Sequence, residues 1–162
     1  MYLKKKVADD LIKFRSPHFP YRKKVCKSFR YGALIGIGGN MGDTLRLFER
    51  VFFHLKRSPL LEVCQTSSIL KNPPFGYLDQ PFFYNAVIVL KSDMQPRRLL
   101  RYLQHVEKRF GRKRSFKDAP RTLDLDILFY ENKKIETPEL TIPHKEWYKR
   151  DSVTIPLMEV AL

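Results

Sequence analysis

Hydrophobic and polar residues alternate without interruption from Leu123 to Ile127. In an extended strand, successive side chains point to opposite faces of the sheet. Leu123, Leu125 and Ile127 therefore share one face, while Asp124 and Asp126 share the other. A half-buried strand with a solvated acidic face would give this pattern. Two neighbouring carboxylates also suit a hard divalent cation with oxygen ligands, so this strand is a candidate metal site.

Apolar periodicity upstream of this strand predicts five further elements. Apolar runs predict strands over 31–38, 61–70 and 82–90. Apolar positions three and four residues apart predict helices over 43–57 and 96–110. The order β-α-β-β-α-β, followed by a hairpin, predicts an α+β fold. We expect a ferredoxin-like (split βαβ) antiparallel sheet, with helices packed on one face and an added hairpin.

The length of 162 residues suits one core-forming domain. Charge divides the chain into two parts, because residues 1–30 hold ten Lys and Arg against two Asp within a net charge of +14. We therefore predict a basic N-terminal extension at 1–30 and the functional domain at 31–162. The extension has little periodicity, and we expect it to be flexible or loosely packed. Its charge could also attract nucleic acid or anionic lipid.

The two cysteines, Cys26 and Cys64, do not have CxxC spacing. Their number and spacing predict neither a structural zinc site nor a disulfide framework. The N-terminus has no apolar segment typical of a secretory signal, and no apolar run approaches the ~18–20 residues of a membrane span. A reducing cytoplasm is the expected compartment.

A cluster of cations precedes the paired aspartates: Arg112, Lys113, Arg114, Lys117 and Arg121. Carboxylates for a metal beside such a cluster indicate a polyphosphate site. The chain has neither a GxGxxG dinucleotide motif nor a GxxxxGK[ST] loop to hold the phosphates. The glycines at 36–42 are instead interpreted as a tight turn that permits close backbone approach.

The strand over 82–90 carries an amide and an aromatic ring on one face. Alternation places Phe83 and Asn85 together, next to a stiff loop over 71–81 that contains three prolines. A structural asparagine bonded to the loop backbone is one reading. The other is recognition of a planar heterocycle by stacking and hydrogen bonds. From the residues alone, Gln104 and Glu107 are interpreted as solvated positions of the second helix.

Four sequence segments together resemble the 6-hydroxymethyl-7,8-dihydropterin pyrophosphokinase family of folate biosynthesis. They are KDAPRTLDLDILFY at 117–130, IGIGGN at 35–40, NPPFGYLDQPFFYNA at 72–86 and LTIPH at 140–144. The resemblance covers residues 32–160. It implies transfer of pyrophosphate from ATP to the pterin hydroxymethyl oxygen, giving AMP and the pterin diphosphate, with two Mg²⁺ ions as cofactors. It implies ATP and the pterin as small-molecule partners, neither nucleic acid nor membrane, and a monomer.

The resemblance also assigns site residues, each by its match to a family motif. The catalytic residues would be Arg112, Arg121, Asp124 and Asp126, and the metal ligands would be Asp124 and Asp126. The ATP-binding residues would be Gln104, Glu107, Arg114, Ile127, Thr141, His144 and Arg150. The pterin-binding residues would be Asn72, Pro73, Phe75, Phe83 and Asn85.

Two departures from the family pattern leave alternatives open. Ser152 stands where an aromatic residue often covers the pterin, so that ring is either missing or supplied by Trp147 or Tyr148. The loop over 111–121 is about one residue short and lacks a tryptophan. A non-catalytic family member that binds its ligands is therefore one alternative. The positive charge and the aromatic residues leave a further alternative, a ferredoxin-like RNA-binding module. An exposed acid pair would, however, repel phosphate without a metal.

Overall fold

The computed structural model describes residues 2–160. Ten strands form: β1 Leu3–Ala8, β2 Leu11–Arg15, β3 Tyr21–Arg22, β4 Tyr31–Gly39, β5 Leu61–Thr66, β6 Ile69–Asn72, β7 Phe83–Ser92, β8 Asp124–Tyr130, β9 Ile135–Glu136 and β10 Thr141–Ile142. The helices are α1 Thr44–Lys56, α2 Pro96–Arg109 and α3 Asp151–Leu157, with a 3-10 turn at Trp147–Lys149. Within the described residues, no helix has the length and apolar content needed to cross a membrane.

Eight strands form one sheet whose main path runs β1-β2-β6-β7-β4-β8, with β5 beside β7 and β3 beside β5. Neighbouring strands pair antiparallel. This confirms the predicted α+β class and the antiparallel sheet. The predicted strand over 61–70 is two strands, because Ser67 and Ser68 interrupt it. The Ser67 hydroxyl accepts a hydrogen bond from the Val87 amide at 2.9 Å, which anchors this break to β7.

The main core lies between the sheet and the helices α1 and α2. Asp43 caps α1 by accepting a hydrogen bond from the Arg46 amide at 3.2 Å, and Pro96 opens α2. Their apolar stripes pack against one face of the central strands. Leu125 and Ile127 of β8 lie on this face, and Leu123 directly precedes the strand. All three are buried, as the alternation predicted.

The prediction that all helices lie on one face is wrong for α3. Val153 and Leu157 of α3 pack with Leu34 and Val87 on the second face of the sheet. The seven residues of α3 make only about two turns, which is too short for a helical period to show in the sequence. The turn over 131–134 predicted a hairpin between β8 and a short strand near Ile135, but β9 pairs with β10 instead.

The expected looseness of the N-terminal extension is wrong for residues 11–22. Strand β2 pairs with β6, where Phe14 lies opposite Ile69, and β3 pairs with β5. Phe19 is fully buried in the main core, with its ring centroid 5.8 Å from that of Phe48. Strand β1, in contrast, is exposed along its whole length. These strands are too short to show periodicity, and a single phenylalanine without an apolar period around it gives no pattern.

The prediction against disulfide bonding is also wrong, because Cys26 and Cys64 form a disulfide. Spacing could not reveal it, since the two residues are brought together by the pairing of β3 with β5. Cys64 lies on β5, and Cys26 lies four residues after β3.

Candidate functional site

Two cavities meet at Asp124 and Asp126 on the second face of β8. The first lies between β4, β7, β8 and the loop after β6, and both aspartates line it. The second is a cleft of about 790 Å³ between α2, β8 and the β9–β10 hairpin, and the same two aspartates line it. The alternation seen in the sequence therefore places both carboxylates at one junction.

Cations and a third carboxylate surround Asp124. Arg112 Nη1 donates to Asp124 Oδ1 at 2.6 Å, and Arg121 Nε lies 3.4 Å from Asp124 Oδ2. Arg112 also donates to Glu107 Oε2 at 2.7 Å. Burial, and then the neighbouring Asp124 and Glu107 carboxylates, hold the pKa of Asp126 well above its usual range. A hard cation bound here would offset this repulsion between carboxylates.

Glu107 is a buried anchor of the cleft rather than a solvated helix residue. Its exposed fraction is 4%. Glu107 Oε2 accepts a hydrogen bond from the Leu125 amide at 2.8 Å and thereby ties α2 to β8. Burial raises the pKa of Glu107. Gln104 and Arg114 line the same cleft. Three of the predicted ATP-binding residues, Gln104, Glu107 and Arg114, therefore come together there with Arg112, which was predicted to be catalytic.

The other cavity is lined by aromatic rings and side-chain amides. Its lining includes the aromatic residues Phe75 and Phe83 and the amides of Asn72 and Asn85. Asn85 Nδ2 donates to Asn72 Oδ1 at 2.7 Å, and Asn72 Nδ2 donates to the Pro73 carbonyl at 2.9 Å. On the neighbouring strand β4, Gly38 pairs with Asn85, and both Gly36 and Gly38 line the cavity.

Two arginines stand over the aromatic rings. Arg121 Cζ lies 4.7 Å from the Phe83 ring centroid, and Arg150 Cζ lies 4.6 Å from that of Phe75. The space that remains is about 80 Å³. His144 lines the same cavity, where burial and then Arg150 lower its pKa and favour the neutral imidazole.

Sequence reasoning missed the residues that position the loops of the site. The Asn40 amide donates to the Arg121 carbonyl at 3.0 Å, and Asn40 Oδ1 accepts from the Arg121 amide at 3.0 Å. Asn40 Nδ2 donates to Gln80 Oε1 at 2.9 Å, and Gln80 Nε2 donates to the Asp118 carbonyl at 2.8 Å. The turn after β4 thus holds both loops together. The conspicuous IGIGGN segment was the one available signal for Asn40.

Several predicted residues lie outside both cavities. Pro73 and Thr141 line neither cavity, and Ile127 is buried in the main core. Trp147 and Tyr148, the expected sources of a second ring, are not among the lining residues either, because Trp147 packs against Phe129 and Tyr148 is exposed. Ser152 does line the cavity that contains Phe75 and Phe83, which we call the ring cavity. The ring that faces the cavity together with Phe83 is Phe75.

Comparison of the sequence with known proteins identifies relatives of this chain. Residues 34–162 match the family model for 7,8-dihydro-6-hydroxymethylpterin-pyrophosphokinase. Three relatives carry the name 2-amino-4-hydroxy-6-hydroxymethyldihydropteridine pyrophosphokinase. The chain is 40% identical to that of Helicobacter pylori over 144 residues, 88% of each chain. It is 38% identical to that of Campylobacter jejuni over 143 residues, 88% of this chain and 91% of the relative. It is 37% identical to that of Bacillus subtilis over 128 residues, 79% of this chain and 77% of the relative.

Proposed function

The chain belongs to the 7,8-dihydro-6-hydroxymethylpterin-pyrophosphokinase family, and we propose that Asp124 and Asp126 are the centre at which it works. The reaction transfers pyrophosphate from ATP to 6-hydroxymethyl-7,8-dihydropterin in folate biosynthesis. One observation carries the assignment of the centre. The two aspartates stand where a cation-lined cleft meets a cavity lined by two rings and two amides.

The donor set at this junction fits Mg²⁺. Asp124 and Asp126 offer carboxylate oxygens on one strand face, and the pKa of Asp126 is raised by burial and by neighbouring acids. Two Mg²⁺ ions held by these residues would neutralise phosphate charge when ATP is bound. Other oxygens would come from ATP, since Mg²⁺ is bound by few protein carboxylates together with substrate phosphates.

Charge stabilisation falls to the arginines of the loop before β8. Arg112 and Arg121 already contact Asp124, so their guanidinium groups stand beside the carboxylate that would hold the metal. Negative charge develops on the transferred group and the leaving AMP, and nearby cations lower the barrier by stabilising it. Because phosphoryl chemistry depends mainly on positioning, no protein base is assigned.

The two cavities divide the substrates between them. ATP would occupy the cleft at Gln104, Glu107 and Arg114, with His144 and Arg150 reaching it from the ring cavity. The pterin would lie at Asn72, Phe75, Phe83 and Asn85. The assignments of Ile127, Thr141 and Pro73 rest on the family resemblance alone. Phe75, which lines the same cavity as Phe83, is the ring we propose in place of the aromatic absent at Ser152.

Four finer expectations stay predictions within this proposal. They are the ferredoxin-like topology, the count of two Mg²⁺ ions, a cytoplasmic compartment and a monomer. The division at residue 30 also stays a prediction, although residues 11–22 are part of the sheet.

The direct test is incubation of the protein with ATP, Mg²⁺ and 6-hydroxymethyl-7,8-dihydropterin, followed by separation of the nucleotides. AMP formed in step with the pterin diphosphate is the expected result. The variants Asp124→Asn and Asp126→Asn should lose at least roughly a hundredfold in kcat, because electrostatic groups at a phosphoryl centre contribute that much or more. The exposed Asp10→Asn is the matched control. ADP alone, or full activity in both variants, would refute the assignment.

A further inference from the structure

A third cavity lies apart from the two that meet at Asp124. It is a groove of about 710 Å³ between the segment after β3 and the sheet strands β4, β5 and β7. It shares no lining residue with either cavity of the proposed site. We call it the cationic groove, and its chemistry is independent of the proposed function.

The Cys26–Cys64 disulfide forms part of the groove wall. Cys64 is buried on β5, while Cys26 is partly exposed. An incoming nucleophile therefore reaches Cys26 Sγ more easily than Cys64 Sγ. Disulfides are uncommon in reducing compartments, and those found there are usually exchanged rather than permanent.

Positive charge dominates the groove. Its lining includes five cations: Arg22, Lys23, Lys24, Arg30 and Lys91. Only Lys23 has an ion pair, at 3.4 Å from Glu62. Through residues 2–160, no carboxylate lies within ion-pair distance of the other four side chains.

Few acids oppose this charge. Glu131 lines the groove, and its Oε1 accepts a hydrogen bond from the Gly32 amide at 2.8 Å. Glu62 lies beside the disulfide, with a carboxylate oxygen within 4.8 Å of both sulfurs. Asp93 is close by and accepts a hydrogen bond from the Arg30 amide at 3.0 Å. A groove with this excess of cations concentrates small anions.

We propose that the cationic groove receives a small anionic thiol, which opens the Cys26–Cys64 disulfide by thiol–disulfide exchange. The thiolate of the ligand attacks Cys26 Sγ, and the electron pair of the S–S bond goes to Cys64 Sγ, which leaves as a thiolate. A second ligand thiolate then attacks the ligand sulfur of the mixed disulfide and releases Cys26 as a thiolate. The ligand is oxidised to its disulfide, the protein gains two electrons, and the thiol protons go to solvent or to the two cysteines.

The surroundings of the disulfide favour both steps. Glu62 beside the sulfurs is paired with Lys23, and the cations that line the groove outnumber Glu62 and Glu131. The resulting positive field stabilises the thiolate that leaves, and a stabilised thiolate leaves faster. The apolar floor at Leu34, Val89 and Phe129 gives the carbon skeleton of the ligand a surface to lie on. Opening the bond would also release the segment after β3 from β5, so the reduced protein should melt at a lower temperature than the oxidised one.

The test compares three thiols of similar size and different charge: 2-mercaptoethanesulfonate, 2-mercaptoethanol and cysteamine. The opening of the disulfide in the full chain is followed by alkylation and mass spectrometry. Each rate is divided by the rate of the same thiol with a small uncharged disulfide, which removes differences in intrinsic reactivity. We expect the sulfonate to exceed cysteamine by roughly tenfold at low salt, as for electrostatic focusing of an anion. The preference should shrink as ionic strength rises.

Charge variants locate the effect. The double variant Arg22→Gln/Lys24→Gln should lose most of the preference for the sulfonate over cysteamine. The control double variant Lys4→Gln/Lys5→Gln, on the exposed strand β1, should keep that preference. The salt dependence of the unmodified protein gives a separate readout if a variant fails to fold. The proposal is overturned if the normalised rates are equal for the three thiols, or if both cysteines of the air-oxidised protein react as free thiols.

Discussion

Arg121 lies over the face of Phe83, with its Cζ 4.7 Å from the ring centroid. Phe83 is the first residue of β7, and Arg121 belongs to the loop before β8, so the contact joins the ring cavity to the proposed metal centre. A pterin stacked on this face of Phe83 would take the position of the guanidinium. Arg121 Nε already lies 3.4 Å from Asp124 Oδ2. The displaced guanidinium would then be free to turn toward phosphates bound near Asp124.

Replacing Phe83 by leucine should therefore weaken pterin binding more than ATP binding. The ring supplies a stacking surface that leucine lacks, and aromatic pairing contributes about 0.5–1.5 kcal/mol beyond area burial. We expect the KM for the pterin to rise up to roughly tenfold, with the KM for ATP nearly unchanged. Steady-state kinetics with each substrate varied in turn would check this, with Phe83→Tyr as the control that keeps the ring. An equal rise in both KM values would contradict a pterin-specific role.

Gly38, which pairs with Asn85 on the neighbouring strand β4, offers a second test of the ring cavity. A Cβ at this position would lie 2.6 Å from Asn85 Oδ1, so Gly38→Ala should displace the Asn85 amide from its 2.7 Å bond with Asn72. We expect at least a tenfold rise in the pterin Kd, about 1.4 kcal/mol, measured by calorimetry. Gly32→Ala on the same strand is the matched control, because no atom lies within 4 Å of its added Cβ. Equal pterin affinity in both variants would show that Asn85 does not read the ligand.

Sequence patterns predicted the parts of this site that depend on local geometry. Strand alternation placed Asp124 and Asp126 on one face and buried Leu125 and Ile127 on the other, because a strand has a fixed period of two. The same rule placed Phe83 and Asn85 in one cavity. A helical period, by contrast, indicated only that Glu107 lies on a face next to the core stripe. Glu107 is buried where α2 meets β8, and its carboxylate bonds the Leu125 amide there. This tertiary contact is not visible in the helical period.

Contacts between distant segments could not be predicted in this way. Asn40 holds the Arg121 backbone across 81 positions of sequence, and no residue near Asn40 indicates that partner. Phe19 enters the core although it stands between His18 and Pro20 without an apolar period around it, and Cys26 reaches Cys64 because β3 pairs with β5. In each case, the determining interaction is made by the fold and leaves no periodic pattern in the chain.

Glu159 should give the protein a pH-dependent stability that is separate from the active site. Its carboxylate is 2.6 Å from Lys13 Nζ on β2 and accepts a hydrogen bond from the Ser68 amide at 2.7 Å. Burial alone would raise the pKa of Glu159, but the bonds from Lys13 and Ser68 outweigh it and hold the pKa below its usual value. A lowered folded-state pKa contributes stability above the unfolded-state value near 4.5, and that stability is lost as the pH falls through the folded-state pKa.

The variant Glu159→Gln should therefore lower the free energy of unfolding at pH 7 by about 1 kcal/mol, a figure reduced for the partial exposure of this group. The difference from the unmodified protein should diminish as the pH falls below 4.5 and through the lowered folded-state pKa, where the carboxylate becomes protonated. Urea unfolding at a series of pH values would measure it. Glu146→Gln is the control, because Glu146 forms only an exposed pair with Lys149 at 3.4 Å. A loss that stays constant with pH would mean that the charge of Glu159 is not what stabilises the fold.

Phe19 tests whether the N-terminal segment is part of the domain. The side chain is fully buried, and its ring lies 5.8 Å from that of Phe48 and 6.2 Å from that of Phe52 on α1. Truncation to alanine removes apolar contacts and leaves a cavity, which costs about 3–5 kcal/mol for a buried phenylalanine. We expect a loss of this size in urea unfolding for Phe19→Ala, and a change within about 0.5 kcal/mol for the exposed Val25→Ala in the same segment. Since Phe19 lines neither cavity of the proposed site, the folded fraction should keep its KM values. A loss below about 1 kcal/mol would mean that the segment before β4 contributes little to the core, because a ring that is already solvated forfeits almost no burial when it is removed.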